Sequence, residues 1–427
     1  MSDSREYFAR GGEKLFILCD TMWAGLYNIP DLEWKAYLDY RRMQGFNAVQ
    51  FNMLHQWDGG DSDLGLYPYE RNEKGVYDYS KPNEEYFTHA RKMFEYAHSL
   101  GFIPIIFALH ASYIAGTWAV KGREEFIMPL DYVDAFAEKT AKTFLGLDPI
   151  YIAGADTDFS NDITYEYFRK MLSGIKKTDP DALCSFHLGT QIEGVPIDLP
   201  NEFANSPLYD YYTLQPGHDI RSFSNAYKLI SDYYLNKPKK PIINDEFFYE
   251  GYSYTDENYG KYNEFDQRKA IWWALLSGAK AGIGYGAQGL WFWHNPDKPY
   301  LNIAHGGEAF TWQTALRFEG AWEASFAKHI VEKYDLFDVI PYTGILNKRK
   351  AEREMIRIAR KPDDSAYFIY VPYSSSVKLD IDLSDYKITL VDMKSKRFGR
   401  LFAKKSEGGS IIPIYDINCD ALIIAEK

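Results

Sequence analysis

Short apolar runs alternate with longer amphipathic stretches through most of this chain, and that alternation predicts strand–helix units. Candidate strands fall at Leu15–Thr21, Phe46–Met53, Phe102–His110, Pro149–Asp158, Leu183–Gly189, Tyr209–Gln215, Pro241–Tyr249 and Gly282–Trp291. Several are almost continuously apolar, as a parallel strand covered on both faces requires. Between them the period lengthens. From Asn83 onward, Phe87, Ala90, Phe94 and Ala97 fall three or four apart on one helical face. Asn83 is placed to cap that helix, Glu84 and Glu85 sit at its positive end, and Gly101 is placed to end it. Phe168, Leu172 and Ile175 repeat the logic after Asp162.

Eight such units predict a (β/α)8 TIM barrel over residues 1–340. The rival, a doubly wound open sheet, calls for a Gly-rich phosphate turn after the first strand, and Asp20-Thr21-Met22-Trp23 is not one. Beyond about Gly344 the helical period stops. Val377, Leu379, Ile381 and Leu383 alternate with Lys378, Asp380 and Asp382, a strand with one wet face. Short runs at Ala366–Val371, Lys387–Val391, Ser410–Ile414 and Ala421–Ala425 continue this texture. A small C-terminal antiparallel β-sandwich domain is expected over 341–427, as a structural cap on the barrel in preference to a carbohydrate-binding module.

Composition narrows the partners. The 427 residues carry a formal net charge of -12, which removes the basic footprint that nucleic acid or an anionic membrane surface requires. Three scattered cysteines, Cys19, Cys184 and Cys419, form neither a disulfide framework nor a zinc spacing. Residues Met1 to Lys14 are polar, with no signal-peptide run. The expectation is a soluble cytoplasmic protein. Aromatic residues make up 17% of the chain, and some of them can serve as flat platforms for sugar rings.

In a barrel of this type, chemistry sits at the carboxyl ends of the strands. That rule reduces 60 acids to a few: Asp20, then Asp156 and Asp158, then Asp245, Glu246 and Glu250. Glycosidic cleavage needs one carboxyl group to protonate the leaving oxygen and a second on the opposite side of the bond. Asp156 on strand four and Glu246 on strand seven occupy opposite walls of an eight-stranded ring. The other strand ends offer Trp23, Asn52, His55, His110, His187, Gln215, His218, Tyr249, Trp291 and Trp293. Metal spacings such as His-x-His or His-Glu-x-x-His are missing, and so is a Gly-x-Ser-x-Gly elbow.

Several stretches resemble one family in order along the chain. Leu18-Cys19-Asp20-Thr21-Met22-Trp23 is similar to the Gly-Asp-Thr-Ala-Trp signature of the apiosidase-like glycoside hydrolases. Ile152-Ala153-Gly154-Ala155-Asp156 resembles their Leu-Gly-Gly-Asp, and Leu214-Gln215-Pro216-Gly217-His218 their Gln-Ser-Gly-His. Asn244-Asp245-Glu246-Phe247-Phe248-Tyr249-Glu250 resembles their Asp-Gly-Glu-Pro-x-Tyr-Glu, and Gly284-Tyr285-Gly286 their Thr-Tyr-Gly. The chain departs from the pattern at Ala155 and at Asp245 and Phe247, beside each acid.

The resemblance implies a retaining glycosidase with Asp156 as acid/base and Glu246 as nucleophile, the two acids that rim placement selects. Substrate-binding roles are expected for Asp20, Trp23, Asn52, His55, His110, His187, Gln215, His218, Tyr249, Glu250, Trp291 and Trp293. The partner is a carbohydrate, a short oligosaccharide or glycoside, and the reading requires no cofactor and no metal. Its rivals are a non-catalytic carbohydrate-binding barrel and a metal-dependent barrel hydrolase.

Overall fold

A computed structural model describes all residues except 3, 57–58, 160, 191–196, 255–259, 348–351 and 416. Eight parallel strands close into a barrel: β1 (Ile17–Thr21), β2 (Ala48–Asn52), β3 (Ile103–Phe107), β4 (Ile150–Thr157), β5 (Leu183–Leu188), β6 (Tyr212–Leu214), β7 (Ile242–Asn244) and β8 (Gly282–Tyr285). They follow one another around the ring, and β8 closes onto β1 through Tyr285 opposite Asp20. All eight expected strands are present. Several end earlier than their apolar runs, because Phe247, Phe248 and Ala287 stay buried after the ladder has stopped.

The outer layer holds α1 (Asp31–Met43), α2 (Glu84–Ser99), α3 (Leu130–Phe144), α4 (Asp162–Thr178), α5 (Asn225–Asn236), α6 (Glu264–Leu275) and α7 (Gly320–Lys333). The Asn83 side chain accepts from the Glu85 N–H at the start of α2, and Phe87, Ala90, Phe94 and Ala97 are buried. Gly101 follows in the left-handed region at φ 92°.

C-terminal to the barrel lie β9 (Ile340–Tyr342), β10 (Arg357–Arg360), β11 (Ala366–Val371), β12 (Val377–Leu379), β13 (Lys387–Asp392), β14 (Arg397–Leu401), β15 (Lys404–Ser406), β16 (Gly409–Ile412) and β17 (Ala421–Glu426). They pair antiparallel in a six-stranded sheet, β9-β10-β11-β17-β13-β14, and a three-stranded sheet, β12-β16-β15. Ile358, Ile369, Val377, Leu379, Ile412 and Ile423 fill the space between the sheets. The large sheet is apolar on both faces: Phe368, Tyr370, Val391 and Ile424 join the barrel's core. Among the described residues, no helix is long and apolar enough to cross a membrane.

Helix α6 lies between barrel and sandwich and is buried along nearly its whole length. A capping box of Asn263 and Asp266 starts it. Arg268, buried on α6, makes two 2.7 Å hydrogen bonds to Asp420 and a 3.1 Å ion pair with Glu323. Tyr370 donates to the same Asp420 at 2.9 Å. Asp420→Ala would remove both of these hydrogen bonds from a buried guanidinium and leave it Glu323 alone. The expected cost is on the order of 3 kcal/mol, measured as a lower urea midpoint; an unchanged midpoint would mean the pair contributes nothing net.

Candidate active site

Glu246 stands just past the end of β7, buried, with a donor on each carboxylate oxygen. His218 Nε2 meets Oε1 at 2.7 Å, and His187 Nε2 lies 3.3 Å from Oε2. The other ring nitrogen of His187, Nδ1, binds Asp245 Oδ2 at 2.8 Å. Burial opposes charge on His187, but the two carboxylates override it and hold its pKa well above the ordinary value, so the ring is an imidazolium. Burial would likewise raise Glu246, yet the hydrogen bonds from His187 and His218 hold it well below the usual carboxylate range. Glu246 is an ionised, largely desolvated carboxylate with a fixed orientation.

The ring wall beside it is also fixed. Tyr249 stacks on His218 at 4.7 Å and on Trp291 at 5.2 Å, and Trp23 Nε1 donates to its hydroxyl at 2.7 Å. A Cβ on Gly286 would stand 2.1 Å from the Tyr249 ring. Gly286, the second glycine of Gly284-Tyr285-Gly286, therefore permits this close approach of backbone to ring.

Asp156 is delivered differently. Strand β4 shifts register twice against β5, between Ile152 and Gly154 and between Gly154 and Thr157. Asp156 then takes a left-handed backbone at φ 52°, a conformation a non-glycine residue adopts at a cost of about 1–2 kcal/mol. Bulges of this kind re-aim side chains next to active sites. Gln215 donates Nε2 to Asp156 Oδ1 at 2.9 Å, and His110 Nε2 faces Oδ2 at 3.8 Å. His110 Nδ1 accepts the Ser112 N–H at 3.1 Å, and burial keeps the ring neutral, so the proton sits on Nε2 toward Asp156. Gln215 holds Asp156 and His218 holds Glu246 from a single turn after β6. His110 lies within electrostatic reach of both acids.

Asn52 and His55 lie at the end of β2, buried, with Asn52 donating to Gln56 at 2.6 Å. His55 is sandwiched between Tyr27 at 3.7 Å and Tyr67 at 4.8 Å, and burial drives its pKa down to about 3. Asn52 Oδ1, His55 Nε2 and Trp291 Nε1 are buried with no hydrogen-bond partner among the described residues.

Three expected sugar contacts lie elsewhere. Asp20 points outward from β1, where Arg41 Nε at 2.6 Å and Tyr37 at 2.7 Å on α1 claim it. Alternation along the strand turns it from the mouth toward the helix layer. Glu250 accepts from Tyr285 at 2.5 Å and from the Gly320 N–H at 2.9 Å, at the head of α7. Trp293 stacks on Trp312 at 4.0 Å and donates Nε1 to Glu33 at 2.5 Å, behind the rim. Conversely, sequence reading missed the role of Asp245 as partner of His187; the departure from the family motif at that position was the available signal. Among the described residues, no group of three or more His, Cys, Asp or Glu side chains is arranged to hold a metal ion.

A closed (β/α)8 barrel whose carboxyl-end rim carries two carboxylates, each held by amide or imidazole donors, is the frame of a glycoside hydrolase. The chain belongs to the apiosidase-like family, whose catalytic domain matches residues 2–338. Similar solved structures include a glycoside hydrolase at 18% identity and TM-score 0.81, covering 100% of this chain and 96% of that one. A family 5 glycoside hydrolase from Bacteroides vulgatus ATCC 8482 matches at 17% identity and TM-score 0.81, covering 100% and 92%. The exo-β-1,4-mannosidase Op5Man5 from Opitutaceae bacterium strain TAV5 matches at 15% identity and TM-score 0.53, covering 78% and 63%. At these identities the likeness concerns the fold. No curated protein matches the chain.

Glu250 generates a pH test. Burial pushes its pKa from 4.5 up to about 7. The native state therefore keeps a proton that the unfolded chain releases. The resulting stability is complete below pH 4.5 and lost as pH rises through 7. Glu250→Gln retains an acceptor and never ionises. It should match the native protein at acid pH and exceed it at about pH 8 by on the order of 3 kcal/mol, read from urea midpoints. A pH-independent gap would mean that Glu250 does not carry this proton.

Proposed function

We propose that this protein is a retaining glycosidase acting on a short oligosaccharide or glycoside. The observation that supports it best is the contrast between the acids: Glu246 is buried and locked by two imidazoles, whereas the Asp156 side chain is 31% exposed beneath one amide and a neutral histidine. In this reading Glu246 attacks the anomeric carbon as the glycosidic bond breaks, and Asp156 gives its proton to the departing oxygen. Asp156 then takes a proton from water, whose oxygen displaces Glu246 from the anomeric carbon. The His187 imidazolium stabilises the carboxylate that departs in this second step. Trp23, Tyr249 and Trp291 would line the sugar. A cytoplasmic location would suit small imported saccharides.

A panel of 4-nitrophenyl glycosides tests the assignment. Glu246→Gln should abolish turnover of whichever glycoside the native protein cleaves, and equal turnover would remove Glu246 from the mechanism. Asp156→Asn should slow cleavage of a sugar leaving group about 10²–10⁴-fold, and NMR should show the product with its anomeric configuration retained. An inverted product would reassign the second carboxylate to activating water.

The charge on His187 has its own test. Asp245→Asn removes one counter-ion, so the imidazolium should lose its proton at lower pH than in the native protein. The ring ¹⁵N shifts of His187 report this directly. An unchanged titration would mean that Glu246 alone sustains the cation.

A further inference from the structure

One exposed aromatic residue beside Asp156 has no part in the reading above. Trp118 lies in the loop after β3, on a short 3-10 turn, Trp118–Val120. That loop is pinned. Thr117 is buried and donates to the carbonyls of Ala111 at 2.7 Å and Ile114 at 3.0 Å, and Asn161, the cap of α4, donates to the Gly116 carbonyl at 2.8 Å. Trp118 directs both its N–H groups at the end of β4. Its backbone N–H reaches Asp158 Oδ2 at 3.2 Å, and its indole Nε1 reaches the Asp156 carbonyl at 3.1 Å. Even so, the residue is 53% exposed. With its one polar side-chain atom satisfied, what Trp118 still presents to solvent is apolar ring surface, the area that stacks on the apolar face of a sugar.

Its neighbour determines the occupant. A group that protonates the departing oxygen borders the leaving group, whereas the sugar retained on the nucleophile lies on the Glu246 side. We propose that Trp118 is the stacking platform of a leaving-group subsite, taking the apolar face of the sugar ring that departs with the proton from Asp156. This rests on the assignment of Asp156 as the acid. Both hydrogen bonds hold the indole against the strand end that carries the acid, so the platform is set before substrate arrives.

Two measurements test it. The first compares native protein and Trp118→Ala on two substrates of the glycone that the aryl-glycoside panel singles out. One substrate is the glycosyl fluoride, which has no leaving-group ring, and the other is a disaccharide. The kcat/KM of the variant should fall about fivefold to tenfold more on the disaccharide than on the fluoride. Equal falls on both would make Trp118 a mere buttress of Asp156 and overturn the proposal. The second measurement follows ¹⁹F resonances of Glu246→Gln protein labelled with 5-fluorotryptophan, with Trp118→Phe identifying the peak. Methyl glycosides of glucose, galactose, xylose and rhamnose are the probes. A saturable shift of the Trp118 resonance with at least one of them is expected, and no shift with any would also overturn the proposal. If the native protein cleaves no glycoside, the retaining reading fails by itself, while the resonance titration still decides the fate of the platform.

Discussion

A buried positive charge at His187 organises the mouth of this barrel. A lone imidazolium in a core would be prohibitively costly, but here the cation lies between two carboxylates, Asp245 on Nδ1 and Glu246 on Nε2. Its placement depends on barrel closure. His187 comes from β5 and Asp245 from the end of β7, with β6 between them in the ring. In an eight-stranded barrel the inward side chains of alternate strands share a layer, so β5 and β7 meet across the interior although they are not adjacent in the sheet. An open sheet would carry the same residues without that meeting. The charged row fixes the orientation of Glu246 and stabilises its ionised form, and these are the two properties a carboxylate needs to act as a nucleophile.

The two acids reach the rim by opposite strategies, and the difference suits the chemistry proposed for each. Glu246 is rigid, enclosed and satisfied on both oxygens. Asp156 sits on a doubly bulged strand with a left-handed backbone and is partly open to solvent. A group that must release and recover a proton in each cycle needs access to water or to a departing oxygen. Enclosing it as tightly as Glu246 would impede that exchange. The strain at Asp156 has local compensation: Gln215 holds its carboxylate, and Trp118 bonds its main-chain carbonyl.

Most of this was legible in the sequence because periodicity reports which face of an element is buried. The eight apolar runs marked the eight strands, and the Asn83 cap and Gly101 stop bounded α2 closely. The misses share a cause. Apolar burial does not distinguish a ladder from a rim loop packed under helices, so β6, β7 and β8 are shorter than their runs. Strand-end position likewise does not reveal which way a side chain points. Asp20 and Glu250 occupy the right height on the barrel and face the wrong layer, each bound to a partner distant in sequence: Arg41 on α1 for Asp20, Tyr285 on β8 for Glu250. Trp293 similarly belongs to a packed aromatic pair. Trp118 escaped notice because it lies in a loop with no periodicity, where exposure is a property of the folded chain alone.

The sandwich contributes to the site from behind the barrel. Trp273 on α6 donates its indole N–H to the Met355 carbonyl at 2.8 Å, just before the sandwich strand β10. The same ring packs edge-on against Phe223, which stacks on Phe248 at 4.4 Å, which in turn stacks on Tyr262 at 4.7 Å. The Tyr262 hydroxyl donates to the main-chain carbonyl of His218 at 2.8 Å, and His218 holds Glu246. Gln267 on α6 also donates to the Phe248 carbonyl, two residues beyond Glu246. A continuous column of rings thus runs from the sandwich to a donor on Glu246. Interiors packed this densely transmit displacement rather than absorb it. Clamping α6 between two cores through Arg268 and Asp420 therefore braces Phe248 and Tyr262, and through them His218 and the wall that carries Glu246. The large sheet reaches this column through the face it buries on the barrel.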